Sequence, residues 1–136
     1  WRSSGRTNDE MVDNLKRNGI ISSLAVEQGF RNVDRKYFVP KGREHMAYVD
    51  QPLREDHVHL SAPHIYGSAL EALELRMNSS LSFLNVGSGT GYITCIVASI
   101  LGPHSSCHGI EIKKDVVQHS DEAIAAWKKN FGGGGK

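Results

Sequence analysis

The stretch Leu81-Ser82-Phe83-Leu84-Asn85-Val86-Gly87-Ser88-Gly89-Thr90-Gly91-Tyr92 decides the fold. Leu81 to Val86 is a short apolar run bounded by turn residues, the pattern of a buried parallel strand. Three glycines alternate directly after it. The apolar segment Tyr92 to Leu101 then reads as a helix, stopped by Gly102-Pro103. Glycine at such a junction allows tight turning and close approach of backbone N–H groups to a ligand. In dinucleotide sites the same junction holds pyrophosphate at a helix amino terminus. Here the spacing is Gly-x-Gly-x-Gly rather than Gly-x-Gly-x-x-Gly, and no Lys follows as a P-loop requires. The stretch therefore predicts a nucleoside-cofactor loop formed by Gly87, Ser88, Gly89, Thr90 and Gly91. The plain alternative is a turn that is merely rich in glycine.

Downstream, His108 to Ile112 reads as a second strand, and Lys113 to Lys129 as a long helix carrying Val116, Val117, Ile124 and Trp127. Strand, helix, strand, helix implies a right-handed β-α-β unit, the start of a doubly wound α/β sheet. Glu111 ends the second strand 20 residues after Gly91. An acidic side chain there can accept both hydroxyls of a bound ribose, since a carboxylate offers two acceptor oxygens. Its alternative is a solvated strand end before Lys113 and Lys114. A two-stranded parallel pair leaves an edge open and little core. The domain is thus expected to continue in a carboxyl-terminal portion or to be completed by a partner.

Upstream, Asn8 is placed to cap a helix from Asp9 to Lys16 that Gly19 stops. Ser22 or Ser23 starts a second helix with Leu24, Val26 and Phe30 on its buried side, which Gly29 weakens. Residues 34 to 63 have no sustained period and hold three of the four prolines. They read as a long, mostly irregular connection, and such connections tend to be functional. A third helix is expected from His64 to Leu75. Three regions follow: 1–78, helical with a substrate loop; 79–130, the first half of a Rossmann-like domain; and 131–136, a glycine-rich tail or linker.

Composition sets limits on partners. Of 136 residues, 39% are hydrophobic and 23% charged, as in ordinary globular chains. The net charge of +1 provides no global field for nucleic acid or an anionic membrane. No apolar stretch approaches the roughly 20 residues that span a bilayer, and no signal peptide is visible. The two cysteines, Cys95 and Cys107, have neither metal-like spacing nor a disulfide framework, so no metal is expected. They read as core residues of an intracellular, cytoplasmic protein.

His59-Leu60-Ser61-Ala62-Pro63-His64 marks the end of the long connection. Ser61 sits where a side chain could cap the third helix, with Pro63 in its first turn. No Gly-x-Ser-x-Gly elbow exists, which speaks against a hydrolase nucleophile. The functional alternative is a serine that positions an anionic group by hydrogen bonding.

These segments occur together in a known order. Trp1-Arg-Ser-Ser, Asp13-Asn-Leu-Lys-Arg-Asn-Gly-Ile-Ile, Asp34-Arg, Ala47-Tyr-Val-Asp-Gln-Pro-Leu, Leu60-Ser-Ala-Pro-His-Ile-Tyr and Leu84-Asn-Val-Gly-Ser-Gly-Thr-Gly resemble the protein-L-isoaspartate O-methyltransferases over nearly the whole chain to about residue 130. The resemblance implies a class I S-adenosylmethionine (SAM)-dependent methyltransferase fold, truncated after its first βαβα portion. It implies SAM as cofactor and repair by methylation of isoaspartyl carboxylates in damaged peptides and proteins. By the same resemblance Ser61 matches the active-site serine. Gly87, Gly89 and Glu111 match cofactor contacts, and His64 lies beside the substrate stretch and is grouped with the cofactor residues.

The pattern departs from the family at two places. Asn85 stands where Asp is usual, and Arg54-Glu-Asp-His-Val-His-Leu60 replaces a stretch usually rich in glycine and glutamine. His59-Leu60-Ser61, Phe83-Leu-Asn85, Leu101-Gly-Pro103 and His108-Gly-Ile-Glu111 look closer to a divergent branch. That branch is linked to cullin-type ubiquitin ligases as a substrate-recruiting adaptor. The resemblance thus carries an alternative: a non-catalytic recognition module with a ubiquitin-ligase subunit as partner.

Overall fold

The computed structural model describes residues 2–133. Trp1 of the opening motif and the Gly134-Gly135-Lys136 end of the expected tail lie outside the described residues. The elements run α1 (Asn8–Arg17), α2 (Leu24–Asn32), β1 (Leu53–Glu55), β2 (Val58–Leu60), α3 (Pro63–Ala72), β3 (Ser82–Val86), α4 (Tyr92–Leu101), β4 (Ser106–Ile110) and α5 (Lys114–Gly133). Helix α5 therefore reaches into the glycine run expected to be tail. No helix among the described residues is long and apolar enough to cross a membrane.

Of the first two helix starts, one differs from the sequence expectation. Thr7, not Asn8, caps α1, its hydroxyl accepting the Glu10 N–H at 3.1 Å. Asn8 is instead buried, donating to the Phe30 carbonyl at 2.9 Å and accepting the Arg35 N–H at 3.3 Å. It ties three segments together, which a local reading takes for a cap. Ser23 caps α2 as expected, accepting the Val26 N–H. Gly29 does more than weaken α2: a Cβ there would lie 2.8 Å from Ile100 and 2.9 Å from Ile96, so its absence lets α2 cross close over α4.

The connection at 34–63 is less irregular than its sequence suggests. Short 3₁₀ turns at Arg35–Tyr37 and Glu44–Met46 precede a hairpin in which β1 and β2 pair antiparallel, Leu53 opposite Leu60 and Arg54 opposite His59. Both leucines are buried. Asp56 turns the hairpin with φ 51°, a left-handed conformation that Asp tolerates better than most residues.

Strands β3 and β4 pair in parallel, Ser82 opposite Ser106 through Val86 opposite Ile110, with α4 as the crossover. The apolar run is not buried on both faces, as its sequence predicts. Phe83 and Asn85 are partly covered, while Leu84 and Val86 are exposed. One core joins the helices of the first half to α4 and α5: Met11, Leu15, Val26 and Phe30 pack in the same cluster as Tyr92, Ile96, Val97 and Trp127.

Arg35 lies fully buried within it, its guanidinium 5.6 Å from the centre of the Tyr92 ring. Nη2 donates to the Gln51 carbonyl at 3.4 Å, whereas Nε and Nη1 find no partner among the described residues. Burial lowers the pKa of this guanidinium, while the surrounding Tyr92, Tyr66 and Asp50 raise it.

Candidate active site

The three loop glycines alternate because the backbone does. Gly87, Gly89 and Gly91 have φ of 74°, 56° and 85°, left-handed values that glycine adopts without steric cost. At Gly91 contact adds a second requirement, since a Cβ would lie 2.7 Å from Ser120 Oγ on α5. The loop folds back on the sheet. The Gly87 and Ser88 N–H groups donate to the Ile110 carbonyl at 2.8 and 3.0 Å, and the Gly91 N–H to the Ser88 carbonyl at 3.1 Å.

Glu111 follows β4 directly instead of ending it. Its Oε2 accepts the Gly89 N–H at 3.0 Å and its Oε1 the Lys113 N–H at 3.1 Å. The carboxylate is therefore held at the loop rather than waving in solvent. Five loop N–H groups, with Tyr92 donating to Thr90 Oγ1 at 3.3 Å, are thus satisfied within the protein. They do not form the open cradle that binds a phosphate.

Loop and hairpin enclose a cavity of about 380 Å³, within the usual range for small-molecule sites. Its walls include Ser61, Gly87, Ser88, Gly89, Thr90 and Glu111 from the sequence expectation. They also include His57, His59, Tyr66, Asn85 and Val116, which were not among the expected site residues. The His59 carbonyl would meet a Cβ on Gly89 at 3.5 Å, so the hairpin lies against the loop. Asn85 donates to Thr94 Oγ1 at 3.3 Å.

Gly91 and His64 do not line the cavity. The His64 ring turns to Asp50, with Nδ1 2.8 Å from Oδ1, and the His64 N–H donates to the same oxygen at 3.0 Å. Tyr66, two residues on, takes the place facing the cavity, and its hydroxyl accepts the Ser61 N–H at 2.9 Å.

Ser61 does not cap α3. Ala62 holds the N-cap position without a side-chain bond. The free donor of the first turn, the His64 N–H, is satisfied instead by buried Asp50, 14 residues away in sequence. The carboxylate also suits the positive end of the helix dipole. With capping supplied from elsewhere, the Ser61 hydroxyl is left to the cavity, where His59 Nε2 lies 3.4 Å from it.

A parallel pair joined by a helix, an alternating glycine loop and a carboxylate after the next strand define a Rossmann-like fold of the class I methyltransferase type. The family model for protein-L-isoaspartate(D-aspartate) O-methyltransferase (PCMT) matches residues 6–130, and the chain belongs to that family. It is 36% identical over 125 residues to protein-L-isoaspartate O-methyltransferase of Caenorhabditis elegans, covering 91% of this chain and 54% of that one. To protein-L-isoaspartate O-methyltransferase 2 of Arabidopsis thaliana it is 40% identical over 123 residues, 90% of this chain and 38% of that one. A Plasmodium falciparum PCMT, solved in complex with S-adenosyl-L-homocysteine, is similar in structure with a TM-score of 0.80 at 32% identity, over 92% of this chain and 58% of that one. The chain spans about half the length of the curated relatives it matches.

Proposed function

We propose that the chain binds SAM and serves methyl transfer to the carboxylate of L-isoaspartyl residues in damaged proteins. The observation that carries this is the Glu111 carboxylate, fixed at the loop on Gly89 N–H at 3.0 Å in a cavity that Ser61 also lines. A carboxylate there repels phosphate and accepts hydroxyls, while the N–H groups of Gly87, Ser88, Gly89, Gly91 and Tyr92 are already used. The donor set therefore suits a nucleoside without phosphates, as SAM is. Gly87, Ser88, Gly89, Thr90 and Glu111 would hold it. Gly91 shapes the loop, and His64 acts at one remove by fixing the first turn of α3.

SAM, when bound, supplies a methyl group already activated on a sulfonium. The acceptor carboxylate is already a nucleophile, so the protein's part is positioning and electrostatics. Ser61 O–H donates to the acceptor carboxylate and orients it, while its own backbone N–H is pinned on Tyr66. Both cysteines are free, and burial pushes the Cys95 thiol up to about 12, which leaves it inert. This supports a reducing, cytoplasmic setting.

The test is transfer from labelled SAM to an isoaspartyl peptide and its aspartyl counterpart, beside calorimetric titration with S-adenosylhomocysteine. Transfer to the first peptide alone is expected. Glu111→Gln should weaken S-adenosylhomocysteine about tenfold, the scale of a charged hydrogen bond. Ser61→Ala should lower turnover with cofactor affinity and melting temperature unchanged. Absence of cofactor binding sinks the reading. Binding without turnover favours the second one, a recognition module serving a ubiquitin ligase, which Asn85 and the charged hairpin support.

A further inference from the structure

The charges around the hairpin do not all find partners. Glu55 Oε2 pairs with Arg43 Nη2 at 3.1 Å, Asp115 Oδ2 with His57 Nδ1 at 2.8 Å, and Glu122 Oε2 with Lys41 Nζ at 3.3 Å. Arg54 is left over: it is exposed, and among the described residues no carboxylate pairs with it. The register sets Arg54 directly opposite His59, and opposed residues of an antiparallel pair project from the same face. That face belongs to the cavity. His57, His59 and Ser61 alternate along it and line the cavity wall, while Leu60 is turned inward and buried. Arg54 is not itself a wall residue, and the register sets it on the neighbouring strand beside His59.

Three groups that favour an anion are thus neighbours: the Ser61 hydroxyl, the His59 ring 3.4 Å from it, and Arg54, opposite His59 on the adjacent strand. A single reacting carboxylate is satisfied at Ser61. A guanidinium beyond it suits a second carboxylate, which it can grip with two parallel N–H donors. A nucleic acid or other polyanion is disfavoured by Glu55 and Asp56 at the tip of the same hairpin. We propose that Arg54 and His59 form a second carboxylate subsite beside Ser61, so that preferred acceptors carry an acidic residue flanking the isoaspartyl residue. This rests on the reading of Ser61 as the group that faces the acceptor.

The test uses two fluorescent isoaspartyl peptides, identical except for Glu or Lys at the flanking positions. Their binding to the whole chain is followed by polarisation with excess S-adenosylhomocysteine, whose own binding is titrated separately. The Glu peptide should bind about fivefold more tightly at low salt, the upper range for an exposed ion pair, and lose that advantage at high salt. Arg54→Gln should abolish the preference with S-adenosylhomocysteine affinity unchanged, and Arg54→Lys should keep part of it. Arg54 is exposed, so neither variant disturbs the core. Equal binding of the two peptides, binding of neither, or a preference that survives Arg54→Gln overturns the proposal. Failure of S-adenosylhomocysteine to bind, with the peptide preference intact, sinks the cofactor reading and leaves the subsite standing.

Discussion

In the first half of the chain Met11, Val12, Leu15, Phe30, Val33 and Phe38 are each 0% exposed, whereas in and beside the sheet Leu84 is 57%, Val86 75% and Ile112 89% exposed. Both regions are rich in apolar residues, yet only the first has a partner for every face. Helices α1 and α2 close on each other and on α4, so their apolar stripes disappear into one cluster. The sheet has helical cover on one side, and its other side presents Leu84, Val86 and Ile110 to water. The cavity lies at the seam between the two regimes. Its hairpin wall is anchored through Leu53 and Leu60 in the closed core, while its loop wall rests on the open sheet. Order on the loop side therefore depends on local hydrogen bonds, those to the Ile110 carbonyl and Glu111 among them, more than on burial.

The comparison breaks most readily in the core. Phe30→Ala removes a wholly buried ring that stands edge-on to Tyr92 with centroids 6.3 Å apart. It should cost about 3–5 kcal/mol in urea unfolding. Val86→Ala, at a position largely in water, should stay within about 0.5 kcal/mol. Similar costs for the two would mean that the sheet face is covered in solution.

A smaller effect is expected at Asp50, which joins the closed half to the site. Asp50→Ala strips the acceptor from the His64 N–H and ring nitrogen and should lower stability by about 1–3 kcal/mol. Ser61→Ala should leave it within about 0.5 kcal/mol, since it caps nothing. Equal melting temperatures for Asp50→Ala and the unmodified chain would show that α3 is capped by another group.

The glycine loop and α4 were legible because each depends on neighbours close in sequence, and the second strand was read two residues late, at 108–112 rather than Ser106–Ile110. Alternating glycines forecast alternating positive φ, and Gly102-Pro103 forecast the end of α4. What escaped depends on distant partners. The cap of α3 comes from Asp50, so Ser61 looked like a cap because nothing local shows that the donor is already taken. Asn8 was misread for the same reason, its partners being Phe30 and Arg35. The hairpin went unseen because each strand is three residues long, too short for alternation to register, and its turn is Asp56-His57 rather than a glycine pair. Tyr66 was passed over for His64 since an imidazole suggests chemistry more readily than a phenol. The helical period does place Tyr66 and Leu70 on one face, and both line the cavity.

The smallest effect expected is electrostatic and belongs to the surface of the closed half. Arg31 reaches Asp9 at 3.0 Å, Asp13 at 2.5 Å and Glu27 at 3.1 Å, and Glu27 also pairs with Lys16 at 2.9 Å. The hydrogen bond from Arg31 lowers the Asp13 pKa, and those from Lys16 and then Arg31 lower that of Glu27. Folded values below the unfolded ones mean that the fold is favoured when these carboxylates are ionised. Their contribution is complete above the ordinary carboxylate range and fades as the pH falls through the lowered values. Melting temperature should therefore decline on acidification, and Arg31→Gln should flatten part of that decline. Salt should have a similar, weaker influence, because Asp9 and Asp13 are well exposed and screened. Beside the cavity a comparable pair joins the hairpin to α5, Asp115 having its pKa lowered by the His57 hydrogen bond. His57→Gln should leave the acid dependence nearly as in the unmodified chain, since the dominant network is on α1 and α2. A larger flattening from His57→Gln than from Arg31→Gln would place the acid-sensitive contacts at the hairpin instead, beside the cavity rather than on the helical half.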